Sequence, residues 1–83
     1  MSDPVLDVRG LLCPVPVLRT AARVATLAPG AILRVVGDDP LLRVDLAAWC
    51  AREGHELLAA DAEGGEVRCR LRVGGPAAAP AEE

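Results

Sequence analysis

Val5-Leu6-Asp7-Val8, then Arg9-Gly10, then Leu11-Leu12-Cys13-Pro14-Val15-Pro16 is the stretch on which the fold turns. The first four residues read as a strand, with Leu6 and Val8 on one face and Val5 and Asp7 on the other. Gly10 permits the backbone reversal that leads quickly into a helix. Proline is favoured in the first turn of a helix, where its missing N–H would lack a partner anyway and its φ is already helical. Pro14 and Pro16 therefore fix a helix start and put Cys13 at its mouth. A helix N-terminus favours the thiolate form of a cysteine, and thiolate is the nucleophile. The two prolines limit that effect, leaving the N–H groups of Val15 and Val17 as the expected local donors to sulfur. Leu11 and Leu12 are expected to pack beneath the loop and hold the sulfur outward.

Outward from this stretch, the helix should run from Pro14 to Leu27. Val17, Ala21, Val24 and Ala28 recur at helical spacing with Leu18 and Ala25 beside them, while Arg19, Arg23 and Thr26 fall opposite. Pro29-Gly30 ends it. Ala31 to Val36 is the second strand, with Leu33 and Val35 on one face and Arg34 on the other. Strand, helix and strand in succession make a βαβ unit, so these two strands should be parallel with a right-handed crossover. In Gly37-Asp38-Asp39-Pro40, Asp39 reads as an N-cap and Pro40 as the first position of a second helix reaching Glu53. Leu42, Leu46 and Trp49 share one face of it, Cys50 lies beside them, and Gly54 is the stop signal.

His55 to Ala62 reads as a third strand with little alternation, and Glu63-Gly64-Gly65 as a hairpin turn. From Glu66 to Val73 the alternation is clean: Val67, Cys69, Leu71 and Val73 on one face, Arg68, Arg70 and Arg72 on the other. The expected fold is α/β, a two-layer sandwich of order β-α-β-α-β-β, with a mixed four-stranded sheet and both helices on one face. Residues 1–73 are expected to form one domain, and 74–83, built of Gly, Ala, Pro and Glu, a disordered tail.

Composition narrows the function classes. The core must be aliphatic, because there is no Phe or Tyr and Trp49 is the only aromatic residue. Base stacking on single-stranded nucleic acid needs aromatic platforms, and the net charge of −3 supplies no global basic field. Direct nucleic-acid contact is therefore not expected. Every cationic side chain is Arg, which excludes Schiff-base lysine chemistry. The three cysteines match no paired zinc-ligand spacing, so no metal is expected, and no motif calls for a cofactor. No apolar run approaches the ~20 residues that cross a bilayer. A cytoplasmic, reducing setting is the expectation.

Cys13 is the candidate reactive residue, Pro14 and Pro16 set its geometry, and Arg19 and Arg23 offer a cationic face one turn apart. Asp38, Asp39 and Asp45 are expected to be structural. Cys50 and Cys69 fall on apolar faces and read as core residues. The competing reading makes one of them the partner of Cys13 in a thiol redox switch. His55 is expected to serve structure or meet solvent. Arg68, Arg70, Arg72 and Arg34 read as a solvated strand face.

Val5 to Gly10, Cys13-Pro14-Val15-Pro16, Pro29-Gly30, Asp38-Asp39-Pro40, Asp45, Cys50 and Gly54-His55-Glu56-Leu57 fall in a familiar order. Over residues 5 to 73 the chain resembles the TusA/SirA-like family of small sulfur-carrier proteins. The resemblance implies that Cys13 accepts sulfane sulfur as a persulfide and passes it on, acting stoichiometrically, so "enzyme" describes it only in part. It implies a cysteine desulfurase or rhodanese-like donor and a downstream acceptor protein. Thiolation of tRNA, molybdenum cofactor assembly and sulfur oxidation are the pathways such carriers serve. Arg19 matches a position that is usually basic in the family. Val15 occupies the variable position of the motif, where many relatives are polar, so Val15 and Arg23 are candidate partner-docking residues. A regulatory docking module without sulfur chemistry is the alternative function.

Overall fold

The computed structural model describes residues 3–74. Its elements run β1 (Val5–Asp7), α1 (Val15–Val24), β2 (Ile32–Gly37), α2 (Leu42–Glu53), β3 (Glu56–Glu63) and β4 (Glu66–Arg72). The sheet order is β1-β2-β4-β3, with β1 and β2 parallel and β4 antiparallel to both its neighbours. The strand with the cleanest alternation thus lies in the interior of the sheet. Its apolar residues meet apolar residues on both sides: Leu71 faces Leu33 and Leu57, and Cys69 faces Val35 and Ala60.

The core sits between the sheet and the helices. Leu33, Val35, Val67, Cys69 and Leu71 come from the sheet, and Leu42, Leu46, Trp49 and Cys50 from α2, with Val8 and Val24 closing the ends. The other sheet face carries Arg34, Arg68, Arg70 and Arg72, all exposed. This is the expected two-layer arrangement, and the side-chain period of two in the strands dictates it. Gly64 and Gly65, at φ 59° and 82°, make the two-residue hairpin turn, where both positions need positive φ. A register shift between Leu57 and Ala59 explains the poor alternation of β3.

Three local expectations are corrected. The first helix ends at Val24, not Leu27. The chain there switches to i→i−3 bonds, Thr26 N to Arg23 O and Leu27 N to Val24 O, and the Thr26 hydroxyl also donates to Arg23 O at 2.7 Å. A hydroxyl that competes for a helical carbonyl helps to end the ladder. The buried face of this helix is Pro16, Thr20 and Val24 rather than Val17, Ala21 and Ala28. Val17 and Ala21 pack half-buried at its flank, while Leu18, Ala25 and Ala28 are exposed. Thr20 reaches the interior because its hydroxyl donates to Pro16 O at 2.8 Å, so no buried donor is left unpaired. The second helix begins at Leu42, since Pro40 and Leu41 belong to a turn closed by Leu42 N to Asp39 O at 2.9 Å. Apart from Gly74, the expected tail lies outside the described residues.

Candidate functional site

Parallel strands end on the same edge of a sheet, so the loops after β1 and β2 must meet there. The loop after β1 carries Gly10 to Cys13, and the loop after β2 carries Asp38 and Asp39. The two acidic side chains grip the first loop at both ends. Asp38 accepts the Gly10 N–H at 3.0 Å, and Asp39 accepts the Cys13 N–H at 2.9 Å. The other oxygen of Asp39 accepts the Leu41 N–H at 2.9 Å. One buried carboxylate thus ties the reactive loop to the start of α2. It caps the turn before the helix rather than the helix itself, whose N-cap is Leu41.

Cys13 is exposed, and its peptide bond to Pro14 is cis. Pro14 is the N-cap of α1, one residue before the expected first helical position since the helix starts at Val15, and Pro16 lies in its first turn. Leu11 is half-buried against the core, whereas Leu12 is 71% exposed and does not support the loop from below. The surroundings of the thiol raise its pKa. The Val15 N–H donates to Leu12 O at 2.9 Å and is not free for sulfur. The Asp45 carboxylate, on the first turn of α2, pushes the Cys13 pKa up by hydrogen bonding to the protonated thiol. Partial desolvation and the charges of Asp45 and Asp39 push the same way. Two carboxylates thus stand against the thiolate form, and Pro14 and Pro16 have no N–H to offset them.

On the cysteine loop and the two helices, large aliphatic side chains stand in solvent: Leu12 beside Cys13 in the chain, Leu18 on α1, and Leu41 and Val44 at the start of α2, each more than half exposed. Val15 is half-buried. Arg19 is exposed and Arg23 half-buried on α1, and neither forms an ion pair among the described residues.

The remaining candidates lie away from this edge. Cys50 and Cys69 are buried, 1% and 3% exposed, and burial raises both their pKa values, that of Cys50 to about 11. His55 stacks on Trp49 with ring centroids 4.8 Å apart, and its Nδ1 accepts the Gly74 N–H at 2.9 Å, so it fastens the end of the domain. Among the described residues, no three His, Cys, Asp or Glu side chains are grouped to hold a metal. Nor is any described helix long and apolar enough to cross a membrane. Sequence reasoning missed the grip of Asp38 and Asp39 on the cysteine loop and the approach of Asp45. The first was implicit in the parallel βαβ unit, which brings these two loops together.

The family model described as sulfurtransferase TusA matches residues 5–73. The chain belongs to the TusA family. It is therefore a member of a family of sulfur carriers. The sulfur carrier protein TusA of Pseudomonas paraeruginosa (strain DSM 24068 / PA7) is 43% identical over 63 residues, covering 76% of this chain and 80% of that protein. YrkF of Bacillus subtilis (strain 168) is 42% identical over 71 residues, which is 86% of this chain but only 38% of YrkF. Among solved structures, the SirA-like protein from Desulfitobacterium hafniense superposes with a TM-score of 0.74 at 24% identity, over 84% of this chain and 96% of that one. That likeness bears on the fold, which it shares. Carriers of this family meet donor and acceptor proteins, and the clamped loop is the part of this member that presents an accessible thiol.

Proposed function

We propose that this protein carries sulfane sulfur as a persulfide on Cys13. The observation that supports it is the division of the three cysteines: one exposed on a loop held at both ends, two sealed in the core. In loading, the Cys13 sulfur attacks the terminal sulfur of a donor persulfide. The donor S–S bond breaks, the Cys13 S–S bond forms, and the proton of Cys13 ends on the released donor thiol. Nothing is oxidised or reduced overall. Unloading is the reverse step toward an acceptor nucleophile, with Cys13 as the leaving thiol. A thiol of raised pKa leaves slowly, so the acidic surroundings of Cys13 favour retention of cargo until an acceptor is engaged.

The exposed Leu12, Leu18, Leu41 and Val44 suit an apolar patch on donor or acceptor, with Val15 at the rim and Arg19 and Arg23 available to an acidic partner. A cysteine desulfurase or rhodanese-like protein is the donor class, and a relay protein or biosynthetic enzyme the acceptor class. Thiolation of tRNA, cofactor assembly and sulfur oxidation are routes that would draw on such a carrier.

The test is intact-mass spectrometry after incubation with a cysteine desulfurase and cysteine, wild type beside Cys13→Ser. The expected result is a gain of about 32 Da that a reductant removes and the variant lacks. No gain from folded protein with desulfurase and rhodanese donors would favour a docking module instead.

A further inference from the structure

The open face of the sheet contains an electrostatic anomaly. Three arginines at that face or its rim are held by a nearby carboxylate: Arg9 by Asp7 at 2.8 Å, Arg68 by Glu66 at 2.8 Å and Arg72 by Glu56 at 3.0 Å. Arg34 and Arg70 are held weakly or not at all. Arg34 has only Asp3 at 3.7 Å, and Arg70 has no carboxylate within ion-pair distance among the described residues. These two stand directly opposite each other on neighbouring strands. Opposed residues of an antiparallel pair lie about 5 Å apart at Cα, and like charges placed so are destabilising. Between and beside them runs a groove of about 390 Å³, lined by Val5, Val36 and Ala59 as well as Arg34, Arg68 and Arg70.

We propose that this groove binds a small organic phosphate monoester, its phosphate held between Arg34 and Arg70 and its body on Val5, Val36 and Ala59. Two planar guanidinium forks match the several acceptor oxygens of a tetrahedral oxyanion, and the anion relieves the repulsion between them. The apolar floor and the volume exceed what inorganic phosphate uses. Asp61 also lines the groove, beside Arg68. Its negative charge disfavours a polyanion laid along the sheet, and no aromatic residue lines the groove to stack unpaired bases. The site is independent of sulfur loading, because its arginines project from the face opposite the core and none of its residues, the core residue Cys69 included, belongs to the cysteine loop.

The test is an NMR titration of the full chain, reading backbone amides and arginine Nε–H groups. Adenosine monophosphate and inorganic phosphate are the probes, with ionic strength held constant by sodium chloride. The expected result is saturable shifts at the Arg34 and Arg70 Nε–H and at the Val36 and Ala59 amides, with inorganic phosphate binding more weakly. Arg70→Gln and Arg34→Gln should each weaken adenosine monophosphate at least fivefold, and Arg70→Lys less, since it keeps charge but loses the fork. Both arginines are exposed, and each spectrum also reports whether its variant is folded. Cys13→Ser should bind unchanged, which separates this site from the carrier reading. Shifts that never saturate, affinity unchanged in Arg70→Gln, inorganic phosphate binding as tightly as the monoester, or a polyglutamate peptide binding more tightly would each overturn the proposal.

Discussion

At Cys13 two electrostatic influences compete, and the outcome depends on how few N–H groups are within reach. A helix N-terminus stabilises a thiolate through its unpaired N–H groups. Here Pro14 and Pro16 have none and the Val15 N–H is taken by Leu12 O, while Asp45 and Asp39 push the Cys13 pKa up. The thiolate fraction at a given pH below the pKa falls as the pKa rises, so the wild-type thiol should react slowly near neutrality. Asp45→Asn removes the largest cause of the shift. Its iodoacetamide alkylation rate, measured from pH 7 to 10, should reach half-maximum at lower pH than wild type and be faster at pH 7. Coincident profiles would show that Asp45 does not govern the thiol. That Cys13 is exposed at a helix mouth was legible from the Cys-Pro-Val-Pro run. The carboxylates that tune it were not, because a local reading of a helix start does not include side chains from the next crossover.

The elements matter to the site chiefly through the loops they bring together. Since β1 and β2 are parallel, Asp38 and Asp39 emerge beside Gly10 and Cys13, and a turn residue becomes a clamp. N–H groups of Leu41 and Cys13 lower the Asp39 pKa from its ordinary 3.8. A depressed folded-state pKa adds stability above the unfolded value and loses it as pH falls through the folded one. Asp39→Asn should therefore melt below wild type at pH 6, by several degrees as for a lost cap, with the gap closing as pH drops below 4. A gap independent of pH would mean that the charge of Asp39 is not what holds the loop. Gly37 precedes the clamp, and a Cβ there would lie 2.7 Å from Leu42 Cδ2 and 3.0 Å from Val8 Cγ2. Gly37→Ala should cost about 1–3 kcal/mol in urea unfolding, because both buried side chains must move. It should also slow persulfide loading, since Asp38 and Asp39 come directly after it. Helix and strand existence was readable from periodicity, and the βαβ step implied the parallel pair. The ends were not: Thr26 and Asp39 act through hydrogen bonds that apolar spacing does not encode.

Across the whole molecule, burial separates one thiol from the other two. Cys50 and Cys69 face each other's layers in the core, where desolvation opposes the thiolate, while Cys13 stands in solvent on the clamped loop. Their assignment to the core came from position alone, Cys50 beside Trp49 on α2 and Cys69 in the alternation of β4. An internal redox switch would need Cys13 to reach a sulfur in that core, so the packed domain would have to open. The folded protein should therefore take one iodoacetamide adduct in native buffer and three in denaturant. Mild oxidation of the native protein should yield a Cys13–Cys13 link between two copies, seen as a dimer two hydrogens lighter than twice the monomer. Cys13→Ser should stay monomeric. An intramolecular disulfide formed in wild type under native conditions would refute this partition. It would place Cys50 or Cys69 within reach of the surface and make the domain a switch as well as a carrier.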